Sequence, residues 1–139
     1  MQLIDILKDY INSLEFIPYN IVVNYLSKDK DCMSISPIQG GDREYDVLGN
    51  YTEDYQFSLQ IKLNSPSVVE SSNAIGILNA VGLYFEEANK NESLLPELNE
   101  GQEIEHLRIL GNPTLLSRDD KNVEIFQCNY VLRYNQYTL

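Results

Sequence analysis

Hydrophobic and polar positions alternate with two distinct periods along this chain. Near the start, Leu3, Leu7, Tyr10, Ile11 and Leu14 recur at helical spacing among Asp5, Lys8, Asp9 and Asn12, which predicts a helix over about residues 2–15. Pro18 stops its continuation. The β-branched and aromatic run Tyr19–Leu26, a polar turn at Lys28–Asp31 and the run Cys32–Ile38 together predict a hairpin. The polar stretch GGDREYDVLGN to Asn50 is expected to be a loop or an extended hairpin arm. Strict alternation then follows: Tyr55, Phe57, Leu59, Ile61 and Leu63 are apolar, and Gln56, Ser58, Gln60 and Lys62 are polar. Such a strand buries one face and turns the other to water or a partner.

Ser65 before Pro66, and Ser67 three residues before Glu70, are helix-start signals, the second a capping box. They predict a helix over about 66–90 whose centre, AIGILNAVGLYF, is interrupted only by Asn79. Ile75, Leu78, Gly82 and Phe85 form one apolar stripe and Ile77, Val81, Tyr84 and Ala88 a second. One stripe suffices for packing on a sheet, so the second is expected to face the N-terminal helix, another subunit, or both. Gly76 and Gly82 are expected to permit close packing. An acidic loop broken by Pro96 leads to a strand at Ile104–Leu110 and a turn around Asn112 and Pro113. After the polar RDDKN at 118–122, a last strand alternates from Phe126 to Tyr134, with a bulge expected where Ile125 and Phe126 break the phase. The order α β β β α β β predicts an α+β fold: an antiparallel sheet of four to five strands with two α-helices packed on one face.

The chain has 139 residues, 43% of them apolar, which predicts one domain over 1–139 with a core that needs neither disulfide nor metal. Cys32 and Cys128 stand alone, so both are expected to be reduced thiols in a cytosolic protein, Cys128 as a small core residue. The first residues lack the basic start of a signal peptide. The longest nearly apolar run, Ala74–Phe85, is too short to span a bilayer. No membrane contact is expected.

Ten Lys+Arg against 21 Asp+Glu give a net charge of −11, which argues against polyanion and sequence-specific nucleic-acid binding. The acid is localised. Glu86–Glu105 holds seven acids and one base, and Asp42–Asp54 five acids and one base, so two segments carry −6 and −4 of the −11. They are solvated surfaces, or they meet a basic partner or line an opening that should not hold DNA. Ten tyrosines and no tryptophan suit surfaces buried on assembly; Tyr45, Tyr51, Tyr84, Tyr134 and Tyr137 are candidates.

Candidate chemistry is sparse. The single histidine, His106, would need a nucleophile or carboxylate brought to it for catalysis. DKDC at 29–32 lacks most of an EF-hand's ligands, and Gly40-Gly41 has no following Lys-Ser/Thr for a phosphate. No catalytic, cofactor or metal site is expected.

The succession LIDILKDYINSL, SISPIQGGDREYD, YQFSLQIKLNS, SPSVVESSNAIGILNAVGLYF and NYVLRYN resembles the small minor capsid and tail terminator proteins of long-tailed phages and prophages of Gram-positive bacteria. The resemblance runs over about residues 2–135 and rests on element order, the Gly-Gly-acidic loop and the strand-to-helix junction. It implies a non-enzymatic structural protein at the virion head-tail junction, assembled in the host cytoplasm. Such proteins form rings, typically hexamers, that cap the tail tube and meet the head connector, with projecting arms on the tube protein. Carried over, Gly40, Gly41, Asp42, Arg43, Glu44, Tyr45 and Asp46 would form the tube-contact loop. Ile77, Val81 and Tyr84 would form the subunit interface. The rival expectations are another head-tail connector or minor capsid component and a non-viral acidic adaptor for a basic protein.

Overall fold

The computed structural model describes residues 1–39 and 41–138. The chain runs through helix α1 (Leu3–Asn12), strands β1 (Val22–Val23), β2 (Cys32–Pro37), β3 (Arg43–Tyr45) and β4 (Tyr51–Asn64), helix α2 (Val68–Lys90), and strands β5 (Gln102–Arg118) and β6 (Val123–Gln136). This is an α+β fold with a six-stranded mixed sheet in the order β1-β2-β4-β6-β5, β3 pairing with β4 beyond the end of β2.

The alternating strand is the centre of the sheet. β4 pairs antiparallel with β6 in unbroken register from Tyr51↔Gln136 to Asn64↔Val123. Alternation therefore carries Phe57, Leu59, Ile61 and Leu63 and, from β6, Phe126, Cys128, Tyr130 and Leu132 onto one buried face. Met33 and Ile35 of β2 extend it, and α1 (Leu7, Ile11) and α2 (Leu78, Val81, Phe85) cover it in one core. Burying each such side chain stabilises the fold by roughly 1.5–3 kcal/mol. Phe57 stacks on Tyr130 at 5.5 Å and Phe85 meets Tyr130 edge-on at 5.5 Å. The buried Tyr130 hydroxyl donates to the Leu78 carbonyl at 2.7 Å, as a buried phenol requires.

The capping box forms as the sequence predicts. The Glu70 N–H donates to Ser67 Oγ at 3.2 Å and the Ser67 N–H to Glu70 Oε1 at 3.1 Å. At its far end α2 is clipped to the sheet's edge by Asn89, whose amide serves both the N–H and the C=O of Leu107 on β5, at 2.9 and 2.6 Å. Between these points Gly82 lets the helix approach β5, since a Cβ there would lie 3.0 Å from Ile109 Cβ. Gly76, also expected to aid packing, faces open space.

Four expectations are corrected. Residues 19–38 form no hairpin: β1 has two residues and runs parallel to β2, Val22 opposite Ser34. Asn24 turns away with φ +58, and the 24–31 loop is tied to the end of β4, where Asp31 accepts the Asn64 N–H at 2.8 Å and Lys62 donates to the Ser27 carbonyl. Asn112–Pro113 does not reverse the chain. β5 passes through it with a register shift between Leu110 and Thr114, and proline's missing donor is tolerated because β5 is an edge strand with one neighbour. The irregularity expected at Ile125–Phe126 lies across from them, between Leu115 and Ser117 of β5. The sheet also has more strands than expected, because Arg43–Tyr45 in the polar arm pairs with β4.

Candidate functional site

The polar stretch after β2 folds as a hairpin arm along the first residues of β4. Arg43 pairs with Glu53 and Tyr45 with Tyr51. Gly41 is required by close approach, because a Cβ there would fall 2.1 Å from the Asp54 carbonyl oxygen. Gly40, the first residue of the expected tube-contact loop, lies outside the described residues. Arg43 donates to Glu53 at 2.9 Å and sits 4.4 Å over the Tyr51 ring, so a salt bridge and a cation–π contact hold the arm to β4. Tyr45 packs against Tyr51 at 5.4 Å, and Tyr51 against Tyr134 at 6.4 Å. Burial, then the Glu53 carboxylate that its hydroxyl meets, pushes the Tyr134 phenol up.

The turn at the tip is locked by one side chain. The Asp46 carboxylate accepts the N–H groups of Leu48 (2.8 Å) and Asn50 (3.0 Å) and the Asn50 side-chain amide (3.0 Å). Those bonds, the Asn50 amide first, hold its carboxyl below the ordinary range. Asn50 Oδ1 in turn accepts the Thr138 N–H at 2.6 Å, pinning the tip to the C-terminal segment. Val47 and Leu48 project from this rigid turn with 101% and 76% of their surface exposed. They were not among the expected contacts; the only sequence signal is an aliphatic pair in an otherwise polar run.

On the opposite face of the sheet, Arg133 of β6 joins the two acidic segments. It donates to Glu105 at 2.7 Å and Asp54 at 3.1 Å and lies 3.9 Å from Glu44. Two segments separated in sequence by β4 and most of α2 thus share one strongly negative end of the sheet. Beside them an open cavity of about 590 Å³ is lined by Glu92, Glu97, Glu100, Glu103 and Glu105 among others. His106 lies across from Arg133 on β5. Its Nδ1 is buried and, among the described residues, has no hydrogen-bond partner. Burial first, then Arg108 and Arg133, pulls its pKa below the ordinary value.

The expected subunit-interface residues lie elsewhere and do not form an exposed patch. Val81 is 0% exposed, in the core, and Ile77 and Tyr84 are half-buried against it. In the second stripe of α2, Tyr84 meets Tyr10 of α1, which also stacks near Phe85 of the first stripe, each at 6.2 Å. Val81 is buried within its own chain, so of the three only Ile77 and Tyr84 have surface to offer a partner. Of the five tyrosines singled out, Tyr45 and Tyr137 are exposed, Tyr51 and Tyr84 half-buried and Tyr134 buried. Both cysteines are free; Cys128 is buried, and burial pushes its thiol up.

A fully exposed apolar tip on a locked hairpin can bury itself in a partner at little ordering cost. The negative end favours basic partners and repels polyanions. Among the described residues no helix is long and apolar enough to cross a membrane. No family model matches the sequence, and no curated protein matches it.

Proposed function

We propose that this chain is a structural subunit of a phage head-tail junction, a tail-terminator-like protein that assembles into a ring, a hexamer by resemblance. The ring caps the tail tube and joins it to the head connector. The reading rests on the resemblance of the sequence. The observation that best supports it is the hairpin arm, whose Asp46-locked turn presents Val47 and Leu48 to solvent at one end of the sheet. In this reading the arm from Gly41 to Leu48 is the tube contact, the negative end around Arg133 keeps DNA from adhering, and no catalytic step is assigned to the chain. Its place is the virion head-tail junction.

The convergence of both acidic segments favours a second reading, an acidic adaptor that binds a basic protein. Gene order separates the two, and also separates the terminator from another connector or minor capsid component. A terminator gene should lie just before a major tail protein gene. The direct test mixes the chain with the tube protein encoded beside it and images the product by electron microscopy. Rings capping the tubes are expected; the absence of both rings and binding refutes the proposal.

A further inference from the structure

We infer that β5 carries a proton-sensitive clasp at its start: uptake of a proton by His106 frees residues 102–105 from β6 and parts the two acidic segments. Neither the ring nor the adaptor reading is needed for it. β5 is weakly seated there. Ile104 pairs with Tyr134 and His106 with Arg133, so Glu105 is an extra residue without a place of its own on β6, and only Gln102, Glu103 and Ile104 pair beyond it. Among the described residues no further strand flanks that edge. Charge closes the bulge: Arg133 holds Glu105 at 2.7 Å, and the same guanidinium holds Asp54 of β4 at 3.1 Å and lies 3.9 Å from Glu44 of β3.

His106 is the cross-strand partner of this arginine. Its buried Nδ1 has no hydrogen-bond partner among the described residues, so a proton added there is a buried donor without an acceptor. The imidazolium would also lie directly opposite Arg133, with Arg108 two residues along its own strand, and like charges paired across strands are destabilising. Asp54 and Glu105 pull the other way, but Arg133 already holds both. Burial first, then the two arginines, accordingly lower the His106 pKa. Once residues 102–106 leave β6, the ring reaches water and binds its proton as in the unfolded chain. Acid therefore favours the open form. The opening is bounded, because Asn89 holds both backbone groups of Leu107, at 2.9 and 2.6 Å. It breaks the Arg133–Glu105 pair and moves Glu103 and Glu105 away from Asp54 and Glu44, dividing the negative end. At higher pH the Gln102–Gln136 side-chain bond (2.9 Å) and the Tyr137 N–H donating to the Gly101 carbonyl (2.8 Å) help to keep it shut.

Amide hydrogen exchange, read residue by residue by NMR and divided by the intrinsic rate at each pH, tests the clasp. Protection of residues 102–106 is expected to fall as pH drops below about 6.5. A single proton limits the fall to about tenfold per pH unit. Leu59 and Ile61 of the central strand should lose less over the same range. His106 is the only histidine, so its ring signals report the closed form directly, and the loss of protection should level off where they titrate. His106→Gln should hold protection of residues 102–106 flat across the range. Arg133→Gln keeps the histidine but removes both the tie to Glu105 and the opposing cation, so its protection there should be low already above pH 7 and vary less with pH. Unchanged protection in the wild type overturns the clasp, as does the same pH course in His106→Gln. A loss at residues 102–106 no larger than that at Leu59 and Ile61 also overturns it, because the whole chain would then be unfolding. So does a loss that continues below the titration of the ring.

Discussion

Replacing Val81 by alanine separates a core role from an interface role for the second stripe of α2. Val81 is 0% exposed, so the substitution removes two buried methyl-sized groups at about 0.8 kcal/mol each. The cavity they leave costs about as much again if α1 and the sheet do not collapse into it. A loss of about 2–3 kcal/mol is expected, a substantial share of the roughly 7–20 kcal/mol that a chain of this size commands. The melting temperature should fall by about 6–10 °C. Urea unfolding followed by far-ultraviolet circular dichroism at two protein concentrations tenfold apart is the assay. The midpoint should drop without a change in slope, equally at both concentrations, because the lost contacts lie within one chain. Leu83 on the same helix is 62% exposed, and its alanine variant should cost less than about 0.5 kcal/mol. A Val81→Ala loss under about 1 kcal/mol, or one that grows on dilution, would refute the assignment of the stripe to the core.

Three further outcomes follow from the geometry. Ser67→Ala removes one half of the capping box and should cost about 1 kcal/mol in denaturant unfolding; no change would mean that the cap contributes nothing. Asp46→Ala should leave the melting temperature unchanged but speed amide exchange of Leu48 and Asn50. In the wild type the same protection is present above the ordinary carboxyl pKa and lost as pH falls through the lowered one; equal exchange in both proteins would disprove the lock. Burial, then Arg108 and Arg133, lowers the His106 pKa against the opposing pull of Asp54 and Glu105, so the unfolded chain takes up its proton first as pH falls. Stability should therefore drop as pH falls below about 6.5, and the loss is complete below the folded pKa. The wild type and His106→Gln should diverge as pH falls below about 7 and run parallel above it, and parallel curves throughout would remove His106 as the cause.

The sequence by itself determined the fold class, the position of α2, its capping box and the central strand. Each is written in local chemistry: a hydroxyl and a carboxylate three residues apart, or a strict alternation that allows only one face to be buried. It also placed the acid in two segments and left the arm as either a loop or an extended hairpin. Tertiary structure decided what depends on partners distant in the chain. The second apolar stripe of α2 could have faced α1, a subunit or both, and only the contact of Tyr10 with Tyr84 shows that α1 meets it. Asn112–Pro113 reads as a turn by composition, yet on an edge strand a missing donor costs nothing, so β5 runs through it. Val47 and Leu48 read as an unremarkable aliphatic pair until Asp46 fixes the turn that holds them out, and the two acidic segments stay separate until Arg133 brings them to one end. Side-chain pattern fixes which face of an element is apolar, whereas what covers that face is set by long-range contacts that no local pattern encodes.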